Sequence, residues 1–254
     1  MKEYRRTVKE LRPGIFQLAG WMPDCHSYVI RGKEKNLLID TGLPQAGEAI
    51  RTSLGEIGLA LEDIDLVVLS HEHLDHIGSA PLFFATAMIA THRLAAMKIR
   101  LQDEFAMMNQ LFGMSAEGFR VDICLESGSV IQTGNYRLTV IHTPGHSSGS
   151  ICLYEADQRL VFTGDTVLTG GNIGGVFGSG SISDYIESVE RLRMLRVDDY
   201  YPGHGPASKD PPREFQAAID RATTMLSDSK ALFRVVREKS RFEHIREYMK
   251  HLND

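Results

Sequence analysis

Residues 66–79 read Leu66-Val67-Val68-Leu69-Ser70-His71-Glu72-His73-Leu74-Asp75-His76-Ile77-Gly78-Ser79. The run Leu66 to Leu69 is continuously apolar, the pattern of a strand buried on both faces. It feeds straight into three histidines and an aspartate. His71 and His73 lie two apart in an extended stretch, so their side chains point the same way and can grip one ion. Asp75 and His76 follow where the chain turns, and can face a second ion beside the first. A helix is expected to follow, from His76 through Phe84.

The same event recurs along the chain. Arg137 to Ile141 reads as a strand and runs into His142-Thr143-Pro144-Gly145-His146. Leu160 to Thr163 runs into Gly164-Asp165-Thr166, and Tyr200-Tyr201-Pro202 into Gly203-His204-Gly205. Sites in layered α/β folds form just beyond strand ends, where loops converge. Imidazole and carboxylate donors suit zinc, iron or manganese. No cysteine lies in these loops. Seven donors (His71, His73, Asp75, His76, His146, Asp165 and His204) exceed the needs of one tetrahedral ion. Shared between two ions about 3.5–4 Å apart, with one carboxylate bridging, they leave room for water and substrate.

Further strands are expected over Ile15 to Ala19, Ser27 to Ile30, Leu37 to Ile39 and Met88 to Ala90. Hairpins are expected around Gly134-Asn135 and between Ile151–Tyr154 and Leu160–Thr163. Pro44 to Gly58 has helical spacing, with Ala49, Ile50, Leu54 and Ile57 as the apolar stripe. Arg93 to Phe112 is also helical in pattern and rich in methionine. That segment, 97–114, reads either as an adaptable apolar lid or as core or homodimer interface. A glycine-rich loop spans Gly170 to Gly180 and offers Phe177 as a substrate contact. Ser183 to Leu195 reads as a helix capped by Ser183, with Tyr185 as a second substrate-binding candidate. From Pro212 onward the chain reads as charged amphipathic helices. Their basic residues Arg221, Lys230, Arg234, Arg237, Lys239 and Arg241 read as a solvated face. Residues 1–210 are taken as one domain and 211–254 as its helical extension.

The 254 residues are 43% hydrophobic and 24% charged, with net charge −5. No basic patch suggests nucleic acid, and no run approaches the ~20 apolar residues of a membrane span. Met1 to Arg12 lacks the apolar stretch of a signal peptide. Cys25, Cys124 and Cys152 are too scattered for a disulfide framework and read as buried thiols. A cytoplasmic protein acting on a small molecule is the resulting expectation.

The residues 70–78, together with Thr143-Pro144-Gly145-His146, Phe162-Thr163-Gly164-Asp165 and Pro202-Gly203-His204-Gly205, resemble the metallo-β-lactamase superfamily. Its signature is T/S-H-x-H-x-D-H followed by Gly. The resemblance covers roughly Ile15 to Gly205. It implies a four-layer αββα sandwich, here with extra C-terminal helices, and two divalent metals at one edge. Zinc is the first choice, iron or manganese the alternatives. The resemblance implies that His71, His73 and His146 hold the first metal, that Asp75, His76 and His204 hold the second, and that Asp165 bridges them. Common zinc β-lactamases carry Cys where Asp165 stands. An Asp there, with Asp75-His76, resembles the glyoxalase II-like and lactonase-like branches. Flavodiiron proteins instead put Glu where His73 stands and carry a flavodoxin domain. Ser79 replaces the motif's usual second glycine.

The implied activity is hydrolysis of an ester, a hydroxyacylglutathione-like thioester or a lactone by a metal-bound hydroxide. Asp75 is the candidate catalytic residue, orienting the nucleophile or taking its proton. Ser70 or Thr143 would fix imidazole tautomers. The chief rival is a mononuclear iron persulfide dioxygenase using His71, His146 and Asp165. A phosphodiesterase or nuclease would want basic phosphate-binding loops. A non-catalytic module is disfavoured by the retention of every ligand type.

Overall fold

The computed structural model describes residues 4–114 and 118–229. One sheet runs in the order β1 (Thr7–Arg12), β2 (Ile15–Ala19), β3 (Ser27–Arg31), β4 (Asn36–Ile39), β5 (Leu66–Val68), β6 (Met88–His92) and β7 (Ile123–Leu125). Its first four strands form an antiparallel meander, and β4 to β7 pair in parallel. The second sheet contains β8 (Val130–Gln132), β9 (Arg137–His142), β10 (Ile151–Glu155), β11 (Leu160–Gly164) and β12 (Asp199–Pro202), in the order β12-β11-β10-β9-β8. Only β11 and β12 pair in parallel there.

Strand alternation makes the layers. In β3 and β4, Tyr28, Ile30, Leu37 and Ile39 face the inter-sheet core, and Val29 and Leu38 face the opposite way. In β10 and β11, Ile151, Leu153, Leu160 and Phe162 meet them from the second sheet. Cys152 and Val161 point outward instead. A period of two sends neighbours to opposite faces, so each sheet needs cover on both sides. On the first sheet the cover is α1 (Gly47–Glu56), α2 (Leu74–Ile77) and α3 (Arg93–Leu101), through Ile50, Leu54, Ile77 and Ile99. A fourth short helix, α4 (Asn109–Phe112), follows α3. On the second sheet the cover is α5 (Ile182–Arg193), through Tyr185, Val189 and Leu192, and a helix over 211–229, through Phe215, Ala218 and Ala222. The result is the expected αββα sandwich. The expected C-terminal helices beyond residue 229, with Lys230, Arg234, Arg237, Lys239 and Arg241, lie outside the described residues.

Several local expectations are corrected. The helix expected over residues 76–84 is instead the single turn α2, then a 3-10 turn over Ala80–Phe83 with Pro81 in it. Proline has no N–H to continue the α-helical ladder. The helix expected over 93–112 ends at Leu101, because Gln102 adopts the left-handed conformation at φ 53°. Asp103 then accepts the N–H of Ala106 at 3.0 Å and holds the following turn. Ser181, not Ser183, caps α5, accepting the N–H of Asp184 at 3.3 Å. Cys25 and Cys152 are buried as expected, but Cys124 is exposed on the edge strand β7. Two edge strands, β1 and β7, escaped the sequence reading. Lys9, Glu10 and Arg12 break the apolar alternation of β1, as charges on a sheet edge do. Among the described residues, no helix is long and apolar enough to cross a membrane.

A buried ion pair joins the meander to the rest of the sheet. The guanidinium of Arg6, with no exposed side chain, donates to Asp24 Oδ2 at 2.5 Å, to Ser27 Oγ at 2.7 Å and to the carbonyl of Leu18 at 3.1 Å. Asp24 Oδ1 accepts the N–H of Leu43 at 2.7 Å, tying in the loop after β4. Removing one partner leaves a desolvated charge. Asp24→Ala is therefore expected to lower unfolding stability by roughly 3–5 kcal/mol in urea denaturation. The double substitution Arg6→Met with Asp24→Leu should cost clearly less. An Asp24→Ala protein as stable as wild type would show that Arg6 needs no counter-charge.

Candidate metal centre

The C-terminal ends of β5, β9, β11 and β12 meet at one edge of the sandwich. Each releases its donors there. After β5 the chain bends over Ser70, His71 and Glu72, where the sequence suggested an extended stretch, and enters α2 after His73, so His71 and His73 precede the helix and Asp75 and His76 ride on it. His76 is anchored from behind: its carbonyl accepts the N–H of Thr41 at 2.7 Å and the hydroxyl of Thr41 at 3.0 Å. Gly203 lets β12 approach. A Cβ there would lie 2.3 Å from Asp165 Oδ1 and 2.7 Å from His76 Cε1.

All seven expected residues converge. His71 Nε2 lies 3.0 Å from His73 Nδ1 and 3.2 Å from His146 Nε2, and His146 Nε2 lies 2.9 Å from His73 Nδ1. Beside this triad, His204 Nε2 is 3.2 Å from Asp75 Oδ2, and His76 Nε2 is 3.6 Å from the same oxygen. Asp165 stands between the groups. Its Oδ1 is 3.4 Å from His76 Nε2, and its Oδ2 is 3.6 Å from His204 Nε2 and 3.8 Å from His146 Nε2. His71, His73, His76 and His146 are at most 3% exposed.

The tautomers follow from the partners behind each ring. Ser70 Oγ donates to Asp40 Oδ2 at 2.7 Å, so it accepts from His71 Nδ1–H at 3.0 Å. His146 Nδ1–H donates to the carbonyl of Gly175 at 3.0 Å. His76 Nδ1–H donates to Asp40 Oδ2 at 2.9 Å. In His71 and His146 the other nitrogen, Nε2, turns its lone pair to the cluster, the arrangement a cation requires. Burial alone would lower His76, but Cys25, Asp165, Asp40 and Asp75 outweigh it and hold it well above the ordinary histidine range, so a cation bound there would displace a proton from its Nε2. Ser70 thus fixes a tautomer as expected. Thr143 does not: its hydroxyl meets Thr166 Oγ1 at 2.9 Å and Cys152 Sγ at 3.4 Å.

The donor set fits a divalent cation. Lone pairs of His71, His73 and His146 about 3 Å apart repel one another unless a positive charge lies among them. His76 Nε2 and Asp165 Oδ1 are buried and make no hydrogen bond, although they face each other. Buried polar atoms are ordinarily satisfied. Burial, reinforced by the neighbouring imidazoles, pushes His71 and His73 well below the ordinary histidine range, so both are neutral. Burial alone would raise the carboxyl of Asp165, but His204, His76 and His146 outweigh it and hold it well below the usual range. Neutral imidazole and ionised carboxylate are the forms that bind metal.

A cavity of about 220 Å³ opens onto the cluster. Its floor is His73, Asp75, His146, Asp165 and His204, and its walls include Met22, Met108, Leu111, Phe112, Leu168 and Phe177. Phe177 also packs edge-on against His146, with centroids 5.8 Å apart. Tyr185 lies elsewhere. It is fully buried in the outer core, because the register set by Ser181 turns Tyr185, Val189 and Leu192 onto the covered face of α5. The methionines divide between both readings: Met107 is core, Met108 lines the cavity and Met97 is exposed.

Two supporting residues went unread in the sequence. Asp40 directly follows β4 and accepts three hydrogen bonds behind the cluster. His26 accepts the N–H of Gly20 on Nδ1 and donates from Nε2 to the carbonyl of Gly205 at 2.8 Å, steadying the loop that carries His204. Only Asp40's position directly after an apolar run hinted at a role.

Comparison with known proteins agrees with this geometry. A family model described as the metallo-beta-lactamase superfamily matches residues 22–204. The chain is 35% identical over 232 residues to the human acyl-coenzyme A thioesterase MBLAC2, covering 77% of this chain and 80% of that protein. It is 29% identical over 222 residues to an atrochrysone carboxyl ACP thioesterase of Aspergillus fumigatus, covering 85% of this chain and 61% of the relative. Among solved structures, a metallo-beta-lactamase family protein of Thermus thermophilus matches in fold, with a TM-score of 0.74 and 23% identity over 88% of this chain and 84% of that one.

Asp40 is the most direct test of the wiring behind the rings. Asp40→Asn keeps the shape but removes the charge that fixes His76. Metal affinity of the site containing His76 is expected to fall roughly 10–100-fold in a chelator-competition titration. Unchanged affinity would show that the carboxylate does not tune that ring.

Proposed function

The chain belongs to the metallo-beta-lactamase superfamily, and from that premise we propose that it hydrolyses acyl thioesters at a two-ion centre. It is a hydrolase of a superfamily that binds divalent metal ions. In our reading His71, His73 and His146 hold one ion, Asp75, His76 and His204 hold the other, and Asp165 spans both. Nitrogen and oxygen donors without thiolate favour zinc, with iron or manganese as alternatives. Ions bound there would polarise the thioester carbonyl and make water nucleophilic at neutral pH.

The observation that carries the reading is the meeting of an apolar-walled cavity with a floor of imidazoles and carboxylates. Met22, Leu111 and Phe177 would hold the acyl chain by burial, leaving its carbonyl over the cluster. Asp75 lies within the cavity lining and beside His204. Its carboxylate can orient the attacking water and accept its proton. Water adds to the carbonyl carbon, the carbon–sulfur bond breaks, and the proton reaches the departing thiolate. The names of two relatives, both thioesterases, support this substrate class over a lactone. A single-iron dioxygenase would use His71, His146 and Asp165 and leave His73, Asp75, His76 and His204 without work. No Lys or Arg lines the cavity among the described residues, which disfavours phosphodiester substrates.

The test begins with elemental analysis of protein purified without added metal, expected to find two equivalents per chain. The same sample should hydrolyse acyl-coenzyme A thioesters and lose that activity on chelation. His71→Ala and Asp165→Asn should each lower kcat/KM by roughly 10²–10³, the scale of a lost electrostatic stabiliser. Phe177→Ala should raise KM for a long acyl chain by up to about tenfold with kcat little changed, as for lost uniform binding. Turnover of lactones or phosphodiesters with no thioester activity would overturn the assignment. So would one iron per chain with oxygen uptake on a persulfide.

A further inference from the structure

The reaction described above leaves Glu72 without a role. It sits between His71 and His73, but its carboxylate bonds to Lys98, Ser147 and Ser179 and not to the imidazoles of the cluster. It is fully buried. A carboxylate in that setting must be matched by charge and hydrogen bonds. Lys98 Nζ of α3 donates to Oε1 at 2.8 Å, Ser179 Oγ donates to Oε1 at 3.0 Å, and Ser147 Oγ donates to Oε2 at 2.9 Å.

These partners come from three segments, and two of them hold His146. Ser147 follows His146 directly, and a Cβ at Gly149 would lie 2.6 Å from Glu72 Oε2, so the loop after His146 is shaped around this carboxylate. Ser179 belongs to the glycine-rich loop. That loop supplies the Gly175 carbonyl that accepts His146 Nδ1–H, and the Phe177 N–H that donates to the His146 carbonyl at 3.2 Å. The two loops also bond each other, since the N–H of Ser148 donates to Ser179 Oγ at 3.1 Å. Lys98 closes the ring by donating to Ser148 Oγ at 2.5 Å.

We propose that Glu72 is a positioning residue: it fixes the His146 loop and the Phe177 loop against the segment carrying His71 and His73, and thereby sets the affinity of the three-histidine site. The inference rests on the metal-centre reading above. It does not require any particular substrate.

Cobalt(II) titration of metal-free protein tests it, with His73→Ala and His204→Ala proteins distinguishing the two sites. Glu72→Ala is expected to weaken the three-histidine site roughly 10–100-fold and to shift its visible absorption, while the site of Asp75, His76 and His204 changes by less than about threefold. Glu72→Gln, which keeps an acceptor for one serine, should recover part of the loss. If Glu72→Ala does not fold, Ser179→Ala serves instead, with a several-fold loss expected at the same site alone. Equal weakening of both sites, or wild-type affinity in folded Glu72→Ala or Ser179→Ala protein, would overturn the proposal. Wild-type protein that binds no cobalt would overturn the metal-centre reading itself, whereas two bound equivalents unaffected by the variants would sink only the role of Glu72.

Discussion

The carboxylate of Asp40 is the constraint on which the centre depends. Asp40 directly follows β4 in the left-handed region, φ 57°, a conformation aspartate tolerates better than most residues. From there it takes the N–H and hydroxyl of Ser70 and the Nδ1–H of His76. Through Ser70 it also determines which nitrogen of His71 is free. One buried carboxylate thus orients the rings of both His71 and His76, and it does so from the first sheet. Three hydrogen bonds stabilise the charge in a setting where an unpaired carboxylate would be costly.

The second sheet brings the remaining donors by a different route. His146, Asp165 and His204 come from loops after β9, β11 and β12, and these loops make few ladder bonds. They are held by side chains together with scattered backbone bonds: Glu72 and Ser179 beside the His146 loop, and His26 behind the His204 loop. The site is therefore rigid on one side by secondary structure and on the other by buried polar contacts.

The apolar wall and the polar floor draw on separate parts of the chain. Met22 comes from the loop after β2, Met108 and Leu111 from the segment after α3, and Phe177 from the glycine-rich loop. None belongs to the strands that deliver donors. The segment after α3 is nonetheless linked to the motif, since the N–H of Leu74 donates to the carbonyl of Met107 at 3.0 Å.

Much of this was legible in the residues alone. Buried strands declare themselves by continuous apolar runs, and donors placed at once after them declare a shared edge. His71, His73, Asp75, His76, His146, Asp165 and His204 could be named because their spacing has a local geometric meaning. Tyr185, Thr143, Glu72 and Asp40 could not be read in that way. Whether Tyr185 faces the cavity depends on the helical register set by Ser181, and what Thr143 bonds depends on β10 and the turn after β11 packing beside it. Glu72 and Asp40 act through partners 26 to 107 residues away. Periodicity reports which face a side chain takes within its own element. Only the packed structure decides what stands opposite, because hydrogen bonds and charge pairing depend on distance in space rather than along the chain.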